Sequence, residues 1–214
     1  MREIVIESIE KNKIIVIVRG VEKEKLIPLA EAMYEGGIRL LECTFDSSAR
    51  ISDETTGEYI KLLAEHFQGR MLIGAGTVTT EKQVEITKAA GGKFIISPNT
   101  NADVIKRTVE LGLVSIPGAL TPTEVEAAHR YGADFVKVFP VNYMGERYIK
   151  DLKAPLSHIR MLAVGGITVD NMNGYLDTGA SGIGVGSGIV DKKLIDGGCY
   201  DKIVLLAKKY TEQL

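Results

Sequence analysis

Two charged residues sit inside stretches of sequence that are otherwise apolar. Lys137 lies within residues 134–140, DFVKVFP, and Glu42 within residues 38–45, IRLLECTF. A charged side chain in a buried strand is expensive unless it is paired or put to use, so each requires an explanation. The two-residue period of a strand places Phe135, Lys137 and Phe139 on one face, and Leu40, Glu42 and Thr44 on one face of another strand. If those faces meet, burial disfavours the ammonium and leaves a neutral amine able to attack a ketone, beside a carboxylate able to move protons. A buried ion pair kept for register, or a lysine that snorkels past its neighbours, satisfies the same pattern without chemistry.

Glycine placement adds a second chemistry. Residues 164–167, VGGI, and 184–188, GVGSG, each follow or end an apolar run. Backbone N–H groups at such turns, at the start of a short helix, can cradle a phosphate, here at Gly165, Gly166 and Gly186, with the Ser187 hydroxyl as a further donor. Tight turns alone would also use glycine. Arg19 closes the run 13–19, where its planar fork could hold a carboxylate or could simply face solvent. Thr77, in 74–77 GAGT, could bind the same carboxylate or make only a structural bond. His66, His129 and His158 are isolated, with no HxH or HxxxH spacing, so no metal and no cofactor is expected. Cys43 and Cys199 form no CxxC pair and are read as apolar fillers in a reducing compartment.

The elements that must position these residues follow from the pattern. Eight short apolar runs recur, at 13–19, 38–45, 71–77, 93–98, 113–120, 134–140, 160–167 and 181–190. Most are continuous rather than alternating, as strands covered on both faces require. Helical segments separate them. In 121–132 Thr121 caps, Pro122 takes the first helical position, Glu124 completes a capping box and Gly132 provides the exit. Residues 80–92 repeat the arrangement with Thr80 and Gln83, and 22–37 ends the same way, although Pro28 leaves its first turns open. Eight strand–helix units predict an α/β protein of the (β/α)8 TIM-barrel type, one domain over residues 1–214, with a short helix at 2–12 plugging the bottom. An open doubly wound sheet shares this grammar, but no GxGxxG follows the first strand.

Bulk composition narrows the partners. Lys and Arg total 26 against 28 Asp and Glu, a net charge of −2, with no long run of one sign. That excludes an electrostatic footprint for nucleic acid or a membrane surface and points to a small molecule. No segment reaches the roughly 18 apolar residues that span a bilayer. The N-terminus mixes charge with apolar residues and lacks a secretory core, so a cytoplasmic protein is expected.

Taken in order, ECTF with Glu42, 74–78 GAGTV, 96–99 ISPN, 117–124 PGALTPTE, 136–140 VKVFP, 164–167 VGGI and 184–188 GVGSG resemble the 2-keto-3-deoxy-6-phosphogluconate aldolase family, which includes 4-hydroxy-2-oxoglutarate and 2-keto-3-deoxy-6-phosphogalactonate aldolases. The resemblance runs from about Lys13 to the last helix. It implies a lyase of the class I, Schiff-base type that splits a 2-keto-3-deoxy-6-phospho sugar acid into pyruvate and glyceraldehyde 3-phosphate, as a homotrimer. It implies Lys137 as the Schiff-base lysine and Glu42 as general acid/base. Arg19, Thr77 and Pro98 match pyruvate-site positions, Phe139 lines the same pocket, and Gly165, Gly166, Gly186 and Ser187 match the phosphate loops. Two positions depart. Asp46 stands where many members carry a basic residue that helps hold the substrate carboxylate, so either Arg19 takes that task or the substrate differs. Val164 replaces a threonine common in gluconate-type members, which leaves the C4 stereochemistry open. A phosphate-binding isomerase or epimerase with Glu42 as base, and a non-catalytic sugar-phosphate sensor, are the competing readings.

Overall fold

The computed structural model describes residues Arg2–Leu214. Each expected apolar run carries a strand: β1 Ile14–Val18, β2 Leu40–Thr44, β3 Leu72–Gly76, β4 Phe94–Ile96, β5 Val114–Ile116, β6 Gly118–Ala119, β7 Val136–Val138, β8 Met161–Val164 and β9 Gly182–Val185. The strands are parallel, in the order β5-β4-β3-β2-β1-β9-β8-β7-β6. The run 113–120 yields two strands because Pro117 divides it. Proline has no N–H to give a ladder, so pairing changes partner there: β5 pairs with β4 and β6 with β7. The neighbours bridge the break, with Lys137 N–H donating to the Pro117 carbonyl at 2.8 Å and Phe139 N–H to the Ala119 carbonyl at 3.0 Å. The result is a nearly closed eight-unit barrel whose fifth strand is kinked.

Helices pack outside the strands. α6, Pro122–Arg130, begins with the expected capping box, in which Thr121 accepts from the Glu124 N–H and the Glu124 carboxylate accepts from the Thr121 N–H at 2.8 Å. α4, Glu81–Ala89, is capped by Thr80, but Gln83 reaches back to the Thr79 N–H rather than to that of Thr80. α2, Lys23–Glu35, runs through Pro28, which lies late enough that the helix starts before it.

Two apolar layers result. The outer one joins helices to the outward faces of the strands. The inner one fills the barrel with Ile15, Leu40, Phe94, Ile96, Phe135 and Leu162. α1, Arg2–Asn12, inserts Val5, Ile6 and Ile9 into this inner layer, with Ile9 fully buried. Ion pairs pin it: Arg2 to Asp134 at 2.8 Å and Glu10 to Arg160 at 2.6 Å. With the bottom closed by α1, the inner face opens only at the carboxyl ends of the strands, where barrels build their sites.

Candidate active site

Lys137 is central in β7, and Glu42 is central in β2. Both point inward and are buried, at 7% and 2% exposure. Their strand neighbours make room. Lys137 pairs in register with Gly118, and Glu42 with Gly74. The Glu42 carboxylate lies directly against Gly76, two residues further along β3, so tightly that a Cβ at that position would overlap it. GAGT therefore supplies space for the acid as well as a turn.

Among the described residues, neither the Lys137 ammonium nor the Glu42 carboxylate forms an ion pair or a side-chain hydrogen bond; each feels the other only at longer range. A contact ion pair kept for register, one of the readings of the sequence, is not what forms. Burial is the dominant influence on both. It holds the Lys137 pKa below the ordinary lysine value, and the positive Arg19 pushes it further down against the pull of Glu42. Burial raises the Glu42 pKa, opposed by Lys137 and Arg19. Desolvation thus favours the neutral form of each group. The Lys137 Nζ also sits 4.7 Å from the centre of the Phe139 ring, which partly roofs it.

A cavity of about 700 Å³ opens above this pair, and all ten residues singled out from the sequence line it: Lys137, Glu42, Arg19, Thr77, Pro98, Phe139, Gly165, Gly166, Gly186 and Ser187. On one side, Arg19 Nη2 donates to Thr77 Oγ1 at 3.0 Å. Thr77 holds a left-handed backbone at φ 58°, a strained state for a β-branched residue and one often found where a site demands it. On the other side, Gly165 and Gly166 have φ of 106° and 70°. The N–H groups of Gly165, Gly166 and Ser187 are not used by any turn or loop hydrogen bond among the described residues. They do not start helices, contrary to the expectation from sequence: α8 begins only at Met172 and α9 at Lys192. The donors belong to loops, one of them clamped by Asn171, whose Nδ2 donates to the Gly166 carbonyl at 3.0 Å.

The Asp46 carboxylate is turned into its own loop. It accepts from the Ser48 hydroxyl at 2.6 Å and from the N–H groups of Ser48 and Arg50 at 3.0 and 3.1 Å, which together hold its pKa at about 2. It is the organiser of its own loop. Ser47, which that loop carries, does line the cavity, as do Ile17, Thr79 and Val190; the sequence reading missed these because no charge or glycine marks them. The histidines lie elsewhere: His66 bonds Glu31 at 2.6 Å, and His129 stacks edge-on against His158. Among the described residues no three His, Cys, Asp or Glu side chains gather as a metal site. Cys43 is buried on the far face of β2, its thiol pushed up to about 12 by burial and by the neighbouring Glu42.

Fold and site together define a parallel β/α-barrel enzyme with an amine and a carboxylate enclosed at its mouth. The model of the KDPG and KHG aldolase family matches residues 5–206, and the chain belongs to that family. It is 34% identical to the 2-dehydro-3-deoxy-6-phosphogalactonate aldolase of Escherichia coli K12, over 83% of this chain and 84% of that one. It is 31% identical to the 2-dehydro-3-deoxy-phosphogluconate aldolase of Haemophilus influenzae, over 97% and 95%. Among solved structures, KDPG aldolase from Legionella pneumophila, with pyruvate captured as a covalent carbinolamine intermediate, superposes with a TM-score of 0.82 at 29% identity, covering 92% of this chain and 93% of the other.

Proposed function

We propose that this protein is a Schiff-base aldolase that splits a 2-keto-3-deoxy-6-phospho sugar acid, or 4-hydroxy-2-oxoglutarate, into pyruvate and an aldehyde, with Lys137 as nucleophile and Glu42 as acid/base. The observation that carries the proposal is the buried, unpaired Lys137 with its lowered pKa, facing Glu42 across one cavity.

The chemistry follows from the groups present. The neutral Lys137 amine attacks the C2 carbonyl to give a carbinolamine, which loses water to form the imine. The protonated imine is the electron sink. Glu42, as carboxylate, takes the proton of the C4 hydroxyl, the C3–C4 bond breaks, the aldehyde leaves, and the electron pair of the broken bond moves towards the iminium nitrogen to give the enamine. Glu42 then returns the proton to C3, and water releases pyruvate and restores the amine. Arg19 and Thr77 hold the keto acid's carboxylate through the guanidinium fork and a hydroxyl. The Gly165–Gly166 and Gly186–Ser187 loops receive a phosphoryl group through backbone N–H groups. Pro98 and Phe139 wall the site and limit water beside the imine.

Lys137→Arg tests the nucleophile. Arginine keeps the charge but does not form the imine, so turnover should vanish; measurable turnover would favour a barrel isomerase in which the cation only stabilises charge. We also place the protein in the cytoplasm as a homotrimer. Tyr143 and Met144, exposed in the segment between β7 and Glu146, offer apolar surface that a neighbouring subunit would cover. Light scattering should report three times the chain mass.

A further inference from the structure

Asn171 stands at the N-cap position of α8, Met172–Asp177, yet its side chain makes no capping hydrogen bond there. Asparagine is among the residues best suited to that bond, so forgoing it requires an explanation. The side chain reaches backwards instead. Its Oδ1 accepts from the Thr168 N–H at 2.8 Å and its Nδ2 donates to the Gly166 carbonyl at 3.0 Å, so one amide bridges the turn that follows β8.

The carbonyl that Asn171 holds sets the direction of a donor. In a trans peptide the C=O and the following N–H point opposite ways, so a Gly166 carbonyl turned to Asn171 leaves the Ile167 N–H directed away from it. Ile167 lines the cavity above Lys137, and Asn171 does not. The other glycine loop uses the same device. There the Gly186 carbonyl is tied back by the N–H groups of Ile189 and Val190 at 3.1 and 2.9 Å, which turns the Ser187 N–H the opposite way. Neither the Ile167 nor the Ser187 N–H has a hydrogen-bond partner among the described residues. The loop after β9 thus fixes its carbonyl with backbone alone. The loop after β8, where Gly165 and Gly166 both hold positive φ, relies on a side chain from further along the chain.

We propose that Asn171 is a positioning residue for the phosphoryl group: by holding the Gly166 carbonyl it keeps the Ile167 N–H turned to the cavity as an anion donor, the counterpart of the Ser187 N–H in the other loop. Without that bond the peptide between residues 166 and 167 is free to flip, at little cost because residue 166 is glycine. A flip replaces a donor with a carbonyl oxygen, whose partial negative charge repels the anion. This inference rests on the aldolase reading, with the glycine loops as the phosphate end of the site.

The test compares the wild type with Asn171→Leu and Asn171→Ser. Leucine has nearly the size of asparagine and makes neither bond. Serine is too short to reach Gly166 but is a preferred N-cap residue, so α8 should form in that variant should the first fail to fold. The readouts are KM and kcat with whichever of 2-keto-3-deoxy-6-phosphogluconate and its galactonate epimer the wild type cleaves, the inhibition constant of inorganic phosphate, and exchange of pyruvate methyl protons in heavy water, which calls on Lys137 and Glu42 but on no phosphate. Both variants should raise KM and the phosphate inhibition constant about tenfold, the loss of one donor to the anion, and leave kcat and pyruvate exchange within about twofold. An unchanged value of either constant in a folded variant would overturn the proposal, as would kcat and pyruvate exchange falling together with phosphate binding, the mark of general damage to the barrel mouth. A wild type that exchanges pyruvate protons but cleaves neither phosphorylated epimer loses the phosphate end and this inference with it, while the Lys137 chemistry stands; a wild type without exchange loses both.

Discussion

The Cα of Gly76 lies against the carboxylate of Glu42, leaving no room for a Cβ between β3 and the acid. Placement of the acid is therefore set by a residue without a side chain. Gly76→Ala should push Glu42 aside and lower kcat by about 100-fold, the usual cost of an ångström-scale misplacement. The far-ultraviolet circular dichroism should stay native. Unchanged kcat in a folded variant would show that the acid's position is not critical.

The pH profile carries the signature of burial. The amine must be neutral to attack and Glu42 ionised to take the hydroxyl proton, so kcat/KM should rise with pH on both accounts. Because the Lys137 pKa is lowered, its limb should lie below the ordinary lysine value of 10.5. Arg19 lowers both pKa values, so Arg19→Met should move the rising limbs towards higher pH, besides raising KM. A shift towards lower pH would contradict the assignment of Arg19 as a charge acting on the pair.

Ser187→Ala should raise KM for a phosphorylated substrate by about tenfold and leave cleavage of 4-hydroxy-2-oxoglutarate nearly unchanged. Equal losses on both substrates would remove Ser187 from the phosphate site.

The helical plug should matter to stability rather than to chemistry. Ile9 is fully buried in the inner barrel layer, and Ile9→Ala should cost about 2–5 kcal/mol in urea denaturation. A loss under about 1 kcal/mol would mean that α1 rests on the barrel rather than completing it.

Because the protonated imine accepts the electrons of the broken bond, no metal is needed for that step. Turnover should persist after dialysis against excess chelator, and a loss restored by a divalent cation would count against the imine route.

The sequence made most of this site legible for physical reasons. A charge in an apolar run such as VKV or LLECT is costly, which singles out Lys137 and Glu42 from the sequence alone. Strands covered on both sides read as continuous apolar runs, and caps such as Thr121 with Glu124 act over only a few residues, so the barrel's elements were legible as well. What stayed hidden depends on contacts distant in sequence. The Pro117 break shows only when β5 and β6 take different partners. The role of Asp46 turns on which way its carboxylate faces, and Ser47 gains meaning only from a cavity that several loops build together.

The central claim is that Lys137 forms an imine, and borohydride reduction of the protein mixed with pyruvate, followed by peptide mass mapping, tests it most directly. The account predicts a stable adduct of reduced pyruvate on Lys137. Folded protein with no adduct on that residue would contradict it.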